Sequence, residues 1–222
     1  LKYWVVNYIQ NDEKINWIMQ IALLITMLFM SCITAKQEDV HKSIPSDTKP
    51  ERILIVYLSR TNNTKAVAQI IQKNVGGELV ALELETPYPE HYQTTVNQVA
   101  EENRTDYLPP LKTKIDCIQQ YDVVFVGFPT WGMQLPPPMK SFLKQYDLSG
   151  KKAIPFNTNG GYGIGSSFQT VKELCPNSEV LDGYTVKGGS ERDEILFVME
   201  GEKEVEVRTQ VTKWLRKIGL VK

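Results

Sequence analysis

The chain has 222 residues, with 25 Lys and Arg against 26 Asp and Glu and a net charge of −1. That length suits one domain with an appendage. The balanced charge excludes the basic excess of a nucleic-acid binder and the acidic run of a solvated tail.

Residues 15–30 are almost wholly apolar and follow Lys14. The run is shorter than the ~20 residues that a spanning helix needs. It ends in Ser31-Cys32 and then turns polar, which resembles a bacterial lipoprotein signal, although Phe29 and Met30 are bulky for such a box. That resemblance implies a signal and lipid-anchor segment over residues 1–32 and lipidation at Cys32. The protein would then be held at the membrane in the cell envelope. An uncleaved anchor and a cleaved signal with a free Cys32 stay open, as does a start further in, at Met19. Residues 33–51 are polar, carry Pro45 and Pro50, and show no apolar period. They are expected to form a flexible tether to a folded domain over residues 52–222.

The domain opens with ILIVYL, residues 53–58, a short apolar run suited to a strand buried on both faces. Residues 59–64 are small or polar apart from Arg60. From Thr64 the apolar residues Val67, Ile70, Ile71 and Val75 fall at helix spacing. The order strand, hydroxyl-rich loop, helix aims unpaired N–H groups and a helix N-terminus at one point, which suits a phosphate. Ser59, Thr61 and Thr64 add hydroxyl donors. The loop is neither G-x-x-x-x-G-K-[ST] nor G-x-G-x-x-G, which leaves two readings, a site for a phosphate monoester or a plain capped turn.

A second strand is expected over residues 78–84 and a helix over 90–103, with Tyr88 and Tyr92 packing that helix or reaching the site. Residues 122–128 (DVVFVGF) read as a central strand, and Pro129-Thr130-Trp131-Gly132-Met133 follows its carboxyl end. Pro136 to Pro138 can start a helix that runs to about Tyr146. A fourth strand over 152–157 leads into a glycine-rich loop, residues 158–165. Ser166 or Ser167 then caps a helix to about Leu174. A fifth strand is expected over 179–186. Residues 195–199 read as an edge strand or a packed loop. A final helix over 203–218 should bury Val205, Val211, Trp214, Leu215 and Ile218.

Strands alternating with helices imply a doubly wound α/β fold: a five-stranded parallel sheet in order 2-1-3-4-5, helices on both faces. Ligands in such sheets bind outside the strand carboxyl ends at the switch in strand order. Strands one, three and four are neighbours there, so their three loops should meet over one crevice. The second loop offers the flat face of Trp131. The third offers Asn159, Gly160, Gly161, Tyr162 and Gly163, where backbone can approach a planar ligand closely.

SRTNNTK resembles the phosphate loop of flavodoxins, with Asn62 where that pattern usually has Gly. YDVVFVGFPTWG and PPMKSFLKQYDLSGKKAIPFNTNGG are similar to flavodoxin-like proteins of anaerobic bacteria. The resemblance spans about residues 52–222 and implies FMN as cofactor. By it, Ser59, Arg60, Thr61, Asn62, Asn63 and Thr64 form the phosphate loop. Pro129, Thr130, Trp131, Gly132 and Met133 cover one ring face, and Asn159 to Gly163 wrap the ring edge. The side chains of Arg60 and Lys65 are expected in solvent. It also implies that a peptide beside Gly132 turns over to offer its carbonyl to the flavin N5 when that atom gains a proton. Gly132, which adopts positive φ at little cost, would permit this.

Two readings of function stay open. One is a flavoprotein that transfers electrons or acts as a small FMN-dependent oxidoreductase. Its redox partner is unknown, and the near-neutral charge argues against a general carrier that docks on basic partners. The other is a cofactor-free, membrane-tethered binding module. No residue qualifies as a general acid or nucleophile. His41 and His91 are the only histidines, and Cys117 and Cys175 fit no zinc pattern, so no metal site is expected. Oligomeric state is not readable.

Overall fold

The computed structural model describes residues 50–222. The expected signal segment, the lipidation of Cys32 and nearly all of the expected tether lie outside the described residues. Among the described residues no helix is long and apolar enough to cross a membrane.

β1 (Ile53–Tyr57), α1 (Asn63–Val75), β2 (Glu78–Ala81), α2 (Tyr92–Arg104), β3 (Val123–Pro129), α3 (Pro137–Gln145) and β4 (Lys152–Asn159) follow in order. α4 (Ser167–Leu174), β5 (Glu179–Val180), β6 (Tyr184–Lys187) and α5 (Gly201–Lys217) complete the domain. The sheet is parallel throughout, in order β2-β1-β3-β4-β5, with β6 also on β4. Alternate residues of the central strands feed opposite faces, as a two-residue period requires. Leu54, Val56, Val124 and Val126 pack with Met139 and Phe142 of α3 and Val171 of α4. Ile55, Phe125, Ile154 and Phe156 pack with Val67 and Ile71 of α1 and Val211 and Leu215 of α5. Gly127 sits in β3 because the Phe156 ring lies over it: a Cβ there would stand 2.0 Å from that ring.

The expected fifth strand is two short pieces. Ala153 O accepts from Leu181 N at 3.1 Å, so odd-numbered residues of β4 aim their backbone at this side. Pro155 is the next of these and has no N–H to give, and the ladder breaks there. The second strand is also shorter than expected. Beyond Ala81 the chain makes only a single bridge, Leu84 to Leu111. α5 begins two residues earlier than expected and buries Val207, while Val205 is 65% exposed. Residues 195–199 form a loop tied by one bridge from Ser190 to Ile195.

Candidate functional site

The loop after β1 turns into α1 through Asn62, whose φ of 63° is left-handed. Asn is among the few residues with a Cβ that take this conformation readily, so it serves where the flavodoxin pattern has Gly. Among the described residues, the backbone N–H groups of Arg60, Thr61, Asn62, Asn63 and Thr64 find no acceptor in the protein. They form a nest at the helix N-terminus. Thr64 is buried and its Oγ1 lies 2.8 Å from Thr158 Oγ1 at the end of β4. Thr61 Oγ1 accepts from Asn63 Nδ2 at 2.8 Å.

Other residues of this loop have structural duties. Ser59 Oγ accepts from Lys65 N–H at 3.2 Å, so this hydroxyl caps the helix. Asn63 is buried. Its amide donates to Leu196 O at 2.6 Å, and its Oδ1 accepts from Val198 N–H at 3.1 Å. Arg60 is not in free solvent as expected. Its guanidinium pairs with Glu191 at 2.6 Å, with side-chain exposures of only 20% and 17%, and donates to the carbonyls of Pro89 and Glu90. That one side chain ties three loops together.

After β3, Trp131 and Gln134 close a tight turn in which Gln134 N–H donates to Trp131 O at 3.0 Å. Gly132 and Met133 both have positive φ, 57° and 60°. That is a type I′ turn. Trp131 is half-buried and meets the Tyr88 ring edge-to-face at 5.3 Å. Burial raises the Tyr88 phenol well above its usual range, and Glu102, which accepts its hydrogen bond, adds to the rise.

The glycine-rich loop after β4 is wound around Asn159. Its Oδ1 accepts from Gly161 N–H at 2.9 Å and Gly163 N–H at 3.1 Å. Thr130 Oγ1 donates to Gly163 O at 2.9 Å, and Ser166 N–H donates to Met133 O at 3.0 Å. Both bonds clamp this loop to the Trp131 turn. Gly165 is required at that clamp, since a Cβ would fall 2.0 Å from Met133 O.

These loops enclose a cavity of about 350 Å³. Arg60, Thr61, Asn63, Thr64, Pro129, Thr130, Trp131, Gly132, Met133, Asn159, Gly160, Tyr162 and Gly163 line it. Ser59, Asn62 and Gly161 of the expected set are not on its wall. A fourth loop, Gly189 to Arg192 after β6, was missed from the sequence and lines the cavity too, as do Tyr92 and Thr158. The only signal was the Gly188-Gly189 pair and the polar run after it. Arg192 sits 5.4 Å from the centre of the exposed Tyr162 ring. The hydrogen bond from Arg192, with one from Ser190, holds the Asp193 carboxyl below its usual range. Of the two places open to Tyr92, packing on α2 or reaching the site, it takes the second and lines the cavity.

Residues 52–201 match the model of a protein family described as flavodoxin. The chain belongs to the flavodoxin family. A flavodoxin from Synechocystis sp. is 25% identical over 160 residues, 68% of this chain and 80% of that protein. A solved Bacteroides eggerthii structure assigned as a flavoprotein is 26% identical, with a TM-score of 0.62, and the match covers 76% of this chain and 98% of that one. A flavoprotein from Lactobacillus acidophilus, solved in complex with FMN, shares the fold at 22% identity and a TM-score of 0.55. That match covers 65% of this chain and 98% of the other. The flavodoxin fold thus accounts for the placing of the three expected loops at the carboxyl edge of the sheet.

Proposed function

We propose that this flavodoxin-family chain binds FMN in the cavity and serves in electron transfer or as a small flavin-dependent oxidoreductase. The observation that carries this is the joining of a nest of unpartnered N–H groups and an aromatic wall in one cavity. The nest and the Thr61 and Thr64 hydroxyls would hold the phosphate dianion. Trp131 and Tyr162 would flank the flat ring, and the Gly160–Gly163 backbone would meet its polar edge. Bound FMN supplies the redox chemistry, while the protein binds it, orients it and limits its access to water.

Titration of the full chain with FMN, followed by flavin absorbance and fluorescence, tests this. Saturable binding is expected, with riboflavin much weaker because it lacks the phosphate. No uptake of FMN would leave the cofactor-free binding module in its place.

We also propose that residues 1–32 act as a lipoprotein signal with Cys32 as the lipidated residue, placing the domain at the membrane in the cell envelope. The apolar run ending in Ser31-Cys32 supports this. Stable anchoring takes more than one chain, which a triacylated Cys supplies. Mass and lipid labelling of the full chain should both change on Cys32→Ala. Unchanged values would refute lipidation.

A further inference from the structure

Helix spacing puts Thr95, Val99 and Glu102 on the buried face of α2. Thr95 and Val99 suit that face, and a carboxylate does not. Glu102 is only 5% exposed, and among the described residues no Lys or Arg pairs with it. A carboxylate kept from water with no counter-charge is costly, so packing alone would favour an apolar residue there. Both of its oxygens are engaged. Oε1 accepts from Gln98 Nε2, one turn back, at 2.9 Å, and Oε2 accepts from the Tyr88 hydroxyl.

Tyr88 is held at both ends. Its backbone stands between Pro87 and Pro89, and Pro89 O accepts from Arg60 Nη1 at 2.9 Å and from Thr95 Oγ1 at 2.7 Å. Its hydroxyl is tied to Glu102. Between those anchors its ring meets Trp131 at 5.3 Å with the two planes at 88°. Among the described residues no other aromatic ring pairs with that indole. The indole also packs against the core cluster that holds Leu135 and Met139. Aliphatic packing is non-directional, whereas an edge-to-face ring pair sets an angle. Trp131 lines the cofactor cavity, while Tyr88 and Glu102 do not.

We propose that Glu102 is a positioning residue: through the Tyr88 hydroxyl it fixes the angle of the Trp131 wall, and with it the grip of the cavity on a flavin ring. FMN as the ligand rests on the reading given above; the placing of Trp131 does not.

The test is fluorine-19 NMR of the full chain carrying 5-fluorotryptophan, without FMN, followed by flavin titration. The Trp131 line is assigned by its loss in Trp131→Phe. The line of Trp214, on the opposite face of the sheet, reports the fold. Glu102→Leu removes the acceptor while keeping both rings. It should move the Trp131 line and leave that of Trp214 in place. Glu102→Gln keeps an acceptor for the hydroxyl and should hold the parent position. In a Tyr88→Phe background Glu102→Leu should add no further shift, because its route to Trp131 is gone. Glu102→Leu and Tyr88→Phe should weaken FMN and riboflavin by the same factor, roughly threefold to tenfold, since the ring is affected and the phosphate is not. Three results would overturn the proposal: an unmoved Trp131 line in Glu102→Leu, an equal move in the Tyr88→Phe background, or flavin affinities that ignore a moved line. If Glu102→Leu does not fold, Glu102→Met carries the same comparison. A parent chain that takes up neither flavin refutes the FMN reading, while the fluorine lines still decide the placing of Trp131.

Discussion

The turn at Gly132 and Met133 bears on redox tuning. Both hold positive φ in the observed turn. Turning over the peptide between them converts type I′ to type II′, in which only the first central residue keeps positive φ. Gly132 therefore has positive φ in both forms, and a Cβ there meets nothing within 4 Å. Met133 has positive φ only in the observed form, where its side chain costs about 1–2 kcal/mol. Met133 therefore joins Gly132 as a position where redox tuning is expected. Met133→Gly should relieve the observed turn alone and make the turned-over peptide relatively harder to reach. At ~59 mV per tenfold for one electron, that lowers the potential of the step that uses the turned-over carbonyl by roughly 40–90 mV. Gly132→Ala puts a Cβ on αL backbone in the observed turn, but in the turned-over form it meets a backbone region that is close to Gly-only, so it too should lower that potential. It should also lower the unfolding free energy by about 1–2 kcal/mol. A redox titration of the FMN-loaded variants measures this. The account is refuted if Met133→Gly and Gly132→Ala both leave the potentials where they were.

Thr61→Ala should weaken FMN by about 1.5–3 kcal/mol, the scale of a hydrogen bond to a charged group, and should barely change riboflavin binding. Equal losses for the two ligands would move the phosphate elsewhere. Thr64→Ala should do the same and also destabilise the apo chain by about 1 kcal/mol, because Thr158 loses its buried partner. Denaturant unfolding without FMN separates the two effects. Arg60→Met should cost about 1–3 kcal/mol, between the exposed and fully buried cases, since Glu191 is left without its ion-pair partner. Adding Glu191→Gln should recover part of that loss in a double-mutant cycle. An additive cycle would mean the pair contributes nothing. Burial pushes the Cys175 thiol up to about 11 from its ordinary 9.0 and raises Tyr57, Tyr88 and Tyr184. The unfolded chain loses these protons first, so this stability is fully present below pH 9 and falls as pH rises toward 11. Chemical denaturation from pH 7 to 10.5 should show that decline. A flat profile would contradict it.

Local order along the chain was enough to place the first, third and fourth strands and the loops that follow them. Ile53 to Leu58 is apolar without a break, and Val67, Ile70 and Ile71 recur at helix spacing. Both signals sit within one element and need no partner to be read. Because parallel strands all end at the same edge, three unusual loops at strand ends were enough to predict one shared crevice. The duties of single side chains were not legible in the same way. Ser59 and Asn63 looked like ligand groups, but their neighbours Lys65, Leu196 and Val198 claim them. Arg60 looked free, yet its partner Glu191 lies 131 residues away in the chain. Val205 and Val207 are both apolar, and only the direction in which α5 meets the sheet decides which is buried. The break between β5 and β6 follows from Pro155 in the neighbouring strand, not from anything within residues 179–187. Periodicity is a property of neighbours along the chain and survives in the sequence. Which donor meets which acceptor, and which loop closes over the site, depends on groups that only folding brings together.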